Sequence, residues 1–305
     1  MTDTAERGDR SPELISHVVV RFAGDSGDGM QLTGDRFTSV SAMFGNDLST
    51  FPDFPAEIRA PAGTVNGVSS FQVHISDHDI STPGDSPNVL IAMNPAALKA
   101  DLHRLEQGGL LIVNTDAFEA RDLEKAGYDH NPLDDDSLTS YRVVGIPMTT
   151  LTQAATEPLG VKPRDAERSK NFFALGLVSW LYSRPIEGTV QWIESRFKDL
   201  VRESNLAAFR AGFHFGETTE LFERPFQVRP AQLPARRRHA RRLRRRLFRA
   251  TCEIVRHCRS LSVQDCVSCI AMNSRRRQPS SNRFNLTPTS SIGSSSCPSN
   301  TSLSC

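Results

Sequence analysis

The chain has 305 residues, with 36 basic and 35 acidic side chains and a formal net charge of +1. Fifteen arginines but only two acidic residues follow Leu233, which leaves 21 basic and 33 acidic residues before it. The main body is therefore acidic, which argues against nucleic-acid binding by the folded part.

All six cysteines lie after residue 250, so no disulfide framework supports the body. Residues 1–16 are polar, lack the apolar core of a secretion signal and are expected to be disordered. No apolar run approaches the length of a membrane span. These features predict a cytoplasmic protein with no membrane partner.

The first predicted element is a buried strand at residues 18–23, followed by a glycine-rich turn and an amphipathic helix at residues 30–43. The first amides of such a helix carry partial positive charge, and glycine lets a ligand approach them closely. We therefore expect a cofactor to contact this turn. The candidate residues are Gly24, Ser26, Gly27, Asp28, Gly29 and Met30.

The same turn has an alternative interpretation. Its glycine spacing is not the G-x-G-x-x-G dinucleotide pattern, and no Lys-Ser/Thr pair follows as in a P-loop. Asp28 would repel a bare phosphate and could instead cap the helix. The glycines would then serve only the packing of a strand–helix corner.

Strand-like and helix-like segments alternate through the body. The predicted strands are at residues 18–23, 47–51, 68–76, 88–93, 110–114 and 141–146. Helices are predicted between several of them, at residues 30–43, 95–106 and 149–157. This order predicts an α/β fold with a Rossmann-like, mostly parallel sheet covered by helices on both faces. The alternating polarity of residues 68–76 favours an edge or antiparallel strand with one solvent-exposed face.

Further candidate residues lie at strand ends and in one loop. Asn94 and Thr149 each follow a predicted strand, and the carboxyl ends of parallel strands are the usual ligand edge of such sheets. Asn94 is also expected to cap a helix that begins at Pro95. In the loop before residue 68, Arg59 could hold a substrate carboxylate, or it could pair with Glu57 or contact another subunit.

The body is predicted to end with two helices, at residues 171–181 and 190–209, that pack together and close a domain spanning residues 17–218. Residues 219–234 contain three prolines and are interpreted as a linker. Residues 235–305 form a basic, low-complexity tail that is predicted to be disordered.

Three interpretations of the tail are open. It could be a basic arm that binds nucleic acid or an acidic partner. Cys266 and Cys269 could belong to a metal site, although no properly spaced second pair follows them. We favour the third, that the tail is translated out of frame, because it is rich in arginine, serine and cysteine and has no lysine. Sequencing of the locus and its transcript would test this.

Five short segments occur in an order that resembles a known family. They are FAGDSGDGM at 22–30, PAEIR at 55–59, FQV at 71–73, IAMNPAAL at 91–98 and GLLIV at 109–113. This order is similar to the γ domain (the pyruvate/ketoisovalerate oxidoreductase catalytic domain) of 2-oxoacid:ferredoxin oxidoreductases. It most resembles the form fused to the α subunit of the enzyme that acts on 2-oxoglutarate.

The resemblance implies a role in CoA-dependent oxidative decarboxylation, within a complex that contains thiamine diphosphate, Mg²⁺ and a 4Fe-4S cluster. The partners would be a cognate β subunit, which holds those groups, and ferredoxin. The resemblance implies no catalytic residue and no metal site in this chain, and CoA is the one group it is expected to contact. Glu57, Arg59, Asn94 and Thr149 are the candidates for the substrate cleft.

One departure from the family bears on activity. The domain that follows the linker in the fused form begins near a Tyr-Pro-Ile-Thr-Pro motif, which this sequence lacks. We therefore expect the isolated chain to be inactive. The alternative function is a nucleotide-binding or interaction module with a basic nucleic-acid-binding arm.

Overall fold

A computed structural model describes residues 11–55 and 60–232 of the chain. The strands within them are β1 (Glu13–Ile15), β2 (His17–Asp25), β3 (Asp47–Asp53), β4 (Val68–Ser76), β5 (Val89–Ala92), β6 (Leu110–Asn114), β7 (Arg142–Ile146) and β8 (Phe226–Val228). The helices are α1 (Met30–Phe44), α2 (Pro95–Asp101), α3 (Ala120–Ala126), α4 (Met148–Thr156), α5 (Pro163–Ala166), α6 (Lys170–Leu181), α7 (Glu187–Arg196) and α8 (Asp199–Thr218). Glu57, Arg59 and the whole tail, with its arginines and the Cys266–Cys269 pair, lie outside the described residues.

The predicted strands form one six-stranded sheet in the order β3-β4-β2-β5-β6-β7. Strands β2, β5, β6 and β7 run parallel, while β4 pairs antiparallel with both β2 and β3. Outside this sheet, β1 and β8 pair parallel with each other. The predicted mixed, mostly parallel sheet is confirmed.

Helices cover both faces of this sheet, as predicted. Side chains along a strand point alternately to opposite faces. Ile91 belongs to a large core with α1, α4, α6 and α8, whereas its neighbour Leu90 belongs to a second core with α2 and α3. The helices that follow β2 and β5 therefore lie on opposite faces of the sheet.

Glycines define both ends of helix α1. Gly29 precedes the helix with φ 75°, and Gly45 ends it with φ 107°, donating its N–H to the carbonyls of Ser41 and Ala42. Both glycines adopt a left-handed conformation that other residues rarely take.

Helices α6 and α8 approach each other more closely than side chains would allow. A Cβ atom on Gly176 would lie 2.0 Å from the carbonyl oxygen of Phe209, and one on Gly212 would lie 2.0 Å from that of Phe173. Because both obstacles are backbone atoms, neither position has room for a side chain. The apolar helix predicted at residues 171–181 was expected to pack against the helix predicted at residues 190–209. This packing is confirmed for α8, where the contact is made by backbone atoms.

The prediction of one helix over residues 190–209 is wrong. The chain is extended at Phe197 and Lys198, and this break separates α7 from α8. The ring of Phe197 packs edge-on against Phe172 at 5.6 Å and against Trp192 at 5.7 Å. Burial of this aromatic side chain between helices outweighs continuation of the helical hydrogen bonds.

Other predicted boundaries also differ from the structure. Strand β4 is antiparallel as predicted, but it is not an edge strand, because β3 pairs along its outer side. Eight of its nine residues are buried, so neither of its faces is exposed to solvent. Residues 13–15, predicted to be disordered, form β1. Its partner β8 lies within the predicted linker, where Val228 is fully buried.

A buried ion cluster lies on the face of the sheet that is covered by α2 and α3. Arg21 of β2 is 1% exposed, and its guanidinium lies 2.7 Å from the carboxylate of Asp53 and 2.8 Å from that of Asp101. Ser70 accepts a hydrogen bond from Arg21 and donates one to Asp101. The cation is thus compensated by two carboxylates.

Gly176→Ala should destabilise the protein by about 3 kcal/mol, because the new methyl group forces α6 and α8 apart. Chemical denaturation measures this change. Gly188→Ala in α7 is the control, since the methyl group would meet only the flexible end of Met43. Equal effects of the two substitutions would contradict the close approach of α6 and α8.

Arg21→Met should cost about 3–5 kcal/mol of stability, since it leaves the buried carboxylate of Asp101 with only the largely exposed Arg104, at 3.4 Å, as a cationic partner. The double variant Arg21→Met, Asp101→Leu should recover much of that loss in the same denaturation experiment. A double variant no more stable than the single one would show that the ion pair is not the cause.

Candidate functional site

The candidate site lies where the parallel strands end. Strands β2 and β5 are adjacent and parallel, and their following helices leave to opposite faces of the sheet. In open α/β sheets such a point opens a crevice at the carboxyl ends of the strands. The turn after β2 and Asn94 after β5 both lie at this point.

Asp28 holds the turn after β2 in place. One oxygen of its carboxylate accepts the N–H of Asp25 at 3.0 Å, and the other lies 3.0 Å from the ammonium of Lys170. Asp28 therefore does not cap α1, contrary to one of the two interpretations of the sequence; Gly29 takes the capping position without a side-chain hydrogen bond.

The three glycines of the turn have different surroundings. A Cβ on Gly29 would lie 2.6 Å from the side-chain amide of Asn171, and one on Gly24 would crowd Asp28 and Met30 at 3.0 to 3.1 Å. A Cβ on Gly27 would meet nothing within 4 Å. Contacts among the described residues therefore explain why positions 24 and 29 are glycines, but they leave the space over Gly27 unfilled.

Acidic groups dominate the electrostatics of the crevice. Burial raises the pKa of Asp25, and the neighbouring charge of Asp28 raises it further, while the side chain of Asn94 and the N–H of Gly63 oppose the shift. Burial alone would lower the pKa of Lys170, but its attraction to Asp28 and Glu167 raises it overall. One ammonium among three carboxylates makes this a poor site for a bare phosphate.

Asn94 caps α2 as predicted. Its side-chain oxygen accepts the N–H of Ala97 at 2.8 Å, and Pro95 occupies the first helical position. The side chain of Asn94 also lies close enough to Asp25 to lower the pKa of that carboxyl. Asn94 is only 9% exposed, so its side chain stabilises the walls of the crevice and leaves little area for contact with a ligand.

Thr149 is connected to the same edge through a buried asparagine. Asn114, at the end of β6, donates to the hydroxyl of Thr149 at 3.2 Å and accepts the N–H of Met148 at 3.0 Å. It also donates to the carbonyl of Met93, at 3.4 Å, next to Asn94. Thr149 is therefore part of a hydrogen-bonded strand edge.

Among the predicted site residues, Asp28 of the turn and Asn94 both lie close to Asp25. Met30 is 1% exposed and packs in the large core, so only its backbone can face a ligand. Sequence reasoning missed Asp25, Asn114 and the pair Lys170–Asn171. The sequence did contain signals for them. Asp25 and Asn114 are polar residues at the ends of apolar strands, and Lys170–Asn171 begins an apolar helix.

The crevice is an open edge. The turn lines neither of two clefts, of about 480 and 470 Å³, which lie elsewhere on the body. The described residues contain no group of three or more metal-ligating side chains suited to a metal ion. Among the same residues, every helix is too short or too polar to cross a bilayer.

The chain matches the family described as Pyruvate ferredoxin/flavodoxin oxidoreductase over residues 19–215. It is 55% identical over 224 residues to the 2-oxoglutarate oxidoreductase subunit KorA of Mycobacterium tuberculosis, a match that covers 73% of this chain and 34% of that protein. It is 32% identical over 107 residues to the 2-oxoglutarate synthase subunit KorC of Methanothermobacter thermautotrophicus, covering 34% of this chain and 53% of that protein.

A solved structure has a similar fold. It is the 2-oxoglutarate:ferredoxin oxidoreductase from Magnetococcus marinus with 2-oxoglutarate, coenzyme A and succinyl-CoA bound, and the match has a TM-score of 0.55 at 25% identity. It covers 72% of this chain and 34% of that chain. The present chain spans about a third of the length of KorA and of this structure and about half that of KorC.

Asp25→Asn should stabilise the protein at neutral pH. The raised pKa means that the folded state binds the Asp25 proton more tightly than the unfolded state, so stability falls as pH rises from 3.8 through the raised value. The amide removes this cost and can still accept the N–H of Gly63.

Melting temperatures across a pH series measure the effect. The gain should shrink as the pH falls toward the ordinary carboxyl range, while Asp129→Asn, at an exposed position, should change little. A gain independent of pH would rule out the raised pKa as its cause.

Proposed function

Since this chain belongs to the pyruvate ferredoxin/flavodoxin oxidoreductase family, we propose that it acts as the γ-type domain of a 2-oxoacid:ferredoxin oxidoreductase. The 55% identity to a 2-oxoglutarate oxidoreductase subunit carries this proposal and supports 2-oxoglutarate as the substrate of the complex. The complex would decarboxylate the 2-oxoacid oxidatively, transfer the acyl group to CoA and pass the electrons to ferredoxin in the cytoplasm.

The reactive cofactors of that complex would be held by a cognate β subunit. Mg²⁺ needs several convergent oxygen ligands, and a 4Fe-4S cluster needs cysteine thiolates. The described residues offer no such metal-binding group, and residues 1–250 contain no cysteine. Thiamine diphosphate would supply the carbanion chemistry, and the residues of this chain would form one wall of the shared cleft.

CoA would contact this wall at the turn between β2 and α1. The space over Gly27 supports this, because none of the residues that the structure describes occupies it. Ser26 is exposed beside it, whereas Gly24, Asp28, Gly29 and Met30 shape the turn from within. The three carboxylates around Lys170 disfavour the phosphates here, so the turn would face an uncharged part of CoA through its backbone.

The other candidate residues would serve the same edge indirectly. Asn94 and Thr149 would keep the ends of β5 and of the β7–α4 connection rigid, through their bonds to Ala97 and Asn114. A preformed wall lowers the entropic cost of ordering CoA. On the strength of the sequence, Arg59 remains the candidate for the 2-oxoacid carboxylate, and Glu57 remains a candidate for the same cleft.

Gly27→Val should weaken CoA binding by about tenfold, the effect of losing about 1.4 kcal/mol of contact, without lowering the melting temperature. The measurement is calorimetric titration of CoA into the chain mixed with its β subunit. Gly29→Ala is the contrasting variant, because its positive φ and the contact with Asn171 should lower the melting temperature.

Two failures can be told apart. Unchanged CoA affinity in Gly27→Val would remove the turn from the CoA site but leave the family role intact. Failure of the wild-type chain to associate with the β subunit in size-exclusion chromatography would contradict the proposed role in the complex.

A further inference from the structure

The two edges of the six-stranded sheet differ in how they are protected. An unpaired edge strand is a template for another strand, and natural proteins shield such edges with proline, charge or covering segments. Strand β3, at one edge, contains Pro52, which has no N–H to donate to a further strand. Strand β7, at the other edge, has the sequence RVVGI, with no proline and one charged residue. Strand β7 therefore lacks the protection that β3 has.

Two residues of β7 direct their backbone groups away from the sheet. The N–H of Arg142 donates to the carbonyl of Gly109 at 2.9 Å, so Arg142 is a residue that bonds to the β6 side. Because this bonding alternates along a strand, the N–H and C=O groups of Val143 and Gly145 point outward. Neither residue has a hydrogen bond on that side to any described residue.

These outward groups are accessible to another strand. Gly145 is exposed, and since glycine has no side chain, its exposed surface belongs to the backbone. Val143 is 40% exposed, so an apolar side chain beside the same groups is in contact with water. Pairing with a further strand would satisfy the backbone groups and cover this side chain.

The spacing of the outward residues makes β7 complementary to itself. When two copies of β7 lie antiparallel with Val144 opposite its counterpart, Val143 of each copy faces Gly145 of the other. Residues that face each other in this way exchange two N–H···O=C bonds. The two pairs give four backbone hydrogen bonds across a two-fold axis, and Gly145 has no side chain to obstruct Val143.

Charges at the two ends of β7 are complementary in the same arrangement. Arg142, at the amino end, is exposed and forms no ion pair with the described residues. Asp116 lies beside the carboxyl end, where it accepts hydrogen bonds from the N–H and the hydroxyl of Thr150 in α4. In an antiparallel pair, the amino end of one strand lies beside the carboxyl end of the other. Arg142 of each copy would therefore approach Asp116 of the other.

We propose that β7 is an interface between two copies of this chain. The two β7 strands would pair antiparallel about a two-fold axis at Val144 and join the two six-stranded sheets into one. Strands β5 and β6 separate β7 from β2 and its glycine turn, so the interface is distinct from the proposed CoA contact. Since few groups hold it, the dimer should dissociate on dilution.

Sedimentation velocity of the full chain over a concentration series should show an equilibrium between monomer and dimer. Val143→Lys should raise the dissociation constant about tenfold or more, because a charge on an edge strand opposes pairing. It should leave the melting temperature unchanged, since Val143 is exposed. Val65→Lys is the matched control: Val65 is 38% exposed and lies outside β7, so the dimer should persist.

A charge reversal tests the contact at the strand ends. Arg142→Glu should also raise the dissociation constant, because it places a second carboxylate near Asp116 of the other copy. Arg210→Glu, at an exposed position of α8, makes the same change in net charge and should leave the dimer intact.

A cysteine at the two-fold axis tests the register. Val144 lies opposite itself, where Cα atoms are about 4.5 Å apart, so Val144→Cys should form a disulfide with its counterpart. Val143→Cys is the matched control, since the two Cα atoms at 143 would be about 8 Å apart, too far for a disulfide. All six native cysteines follow residue 250, so mass spectrometry of unreduced peptides identifies the new cross-link.

Three results would each overturn the proposal. The first is a wild-type chain that stays monomeric at every concentration at which it is soluble. The second is a dimer that persists in both Val143→Lys and Arg142→Glu, because it would use another surface. The third is cross-linking of Val143→Cys as readily as of Val144→Cys, which would exclude the two-fold axis at Val144.

Discussion

The backbone contact between α6 and α8 is the constraint on which both ends of this molecule depend. Gly176 and Gly212 let the two helices meet with no side chain between them, and α6 is thereby locked between α8 and the sheet. The start of α6 brings Lys170 and Asn171 against the turn after β2. Its end leads to Arg184, which is buried beside the ring of Phe44. One rigid helix therefore positions groups at both of its ends.

The buried charges of the body are of two kinds. Arg21 is enclosed by Asp53, Asp101 and Ser70, so its charge is balanced and its contacts hold β2 to β3, β4 and α2. Within the described residues, the guanidinium of Arg184 has no hydrogen-bond partner and lies 4.7 Å from the ring of Phe44. Both side chains are shielded from water, so the two sites differ in how far the protein compensates the buried charge.

The crevice at the carboxyl ends of β2 and β5 combines an ordered edge with one open position. Asp28, Asn94 and Asn114 use their side chains on the chain itself, in bonds that join the turn, the strands and the following helices. Gly27 alone has unfilled space above it among the glycines of the turn. Such an arrangement suits a wall that another molecule completes, because the ligand-facing surface is set before the ligand arrives.

By itself, the sequence determined the six strands, their alternation with helices, the covered sheet, the cap at Asn94 and the resemblance to the family. These follow from local periodicity and from motifs a few residues long. Only the tertiary structure decided that residues 190–209 break at Phe197, that Asp28 pairs with Lys170, and that the guanidinium of Arg184 is buried with no hydrogen-bond partner among the described residues. Each of these depends on contacts between residues far apart in the chain, whose energies arise when helices and strands pack. Local sequence patterns do not encode those distances.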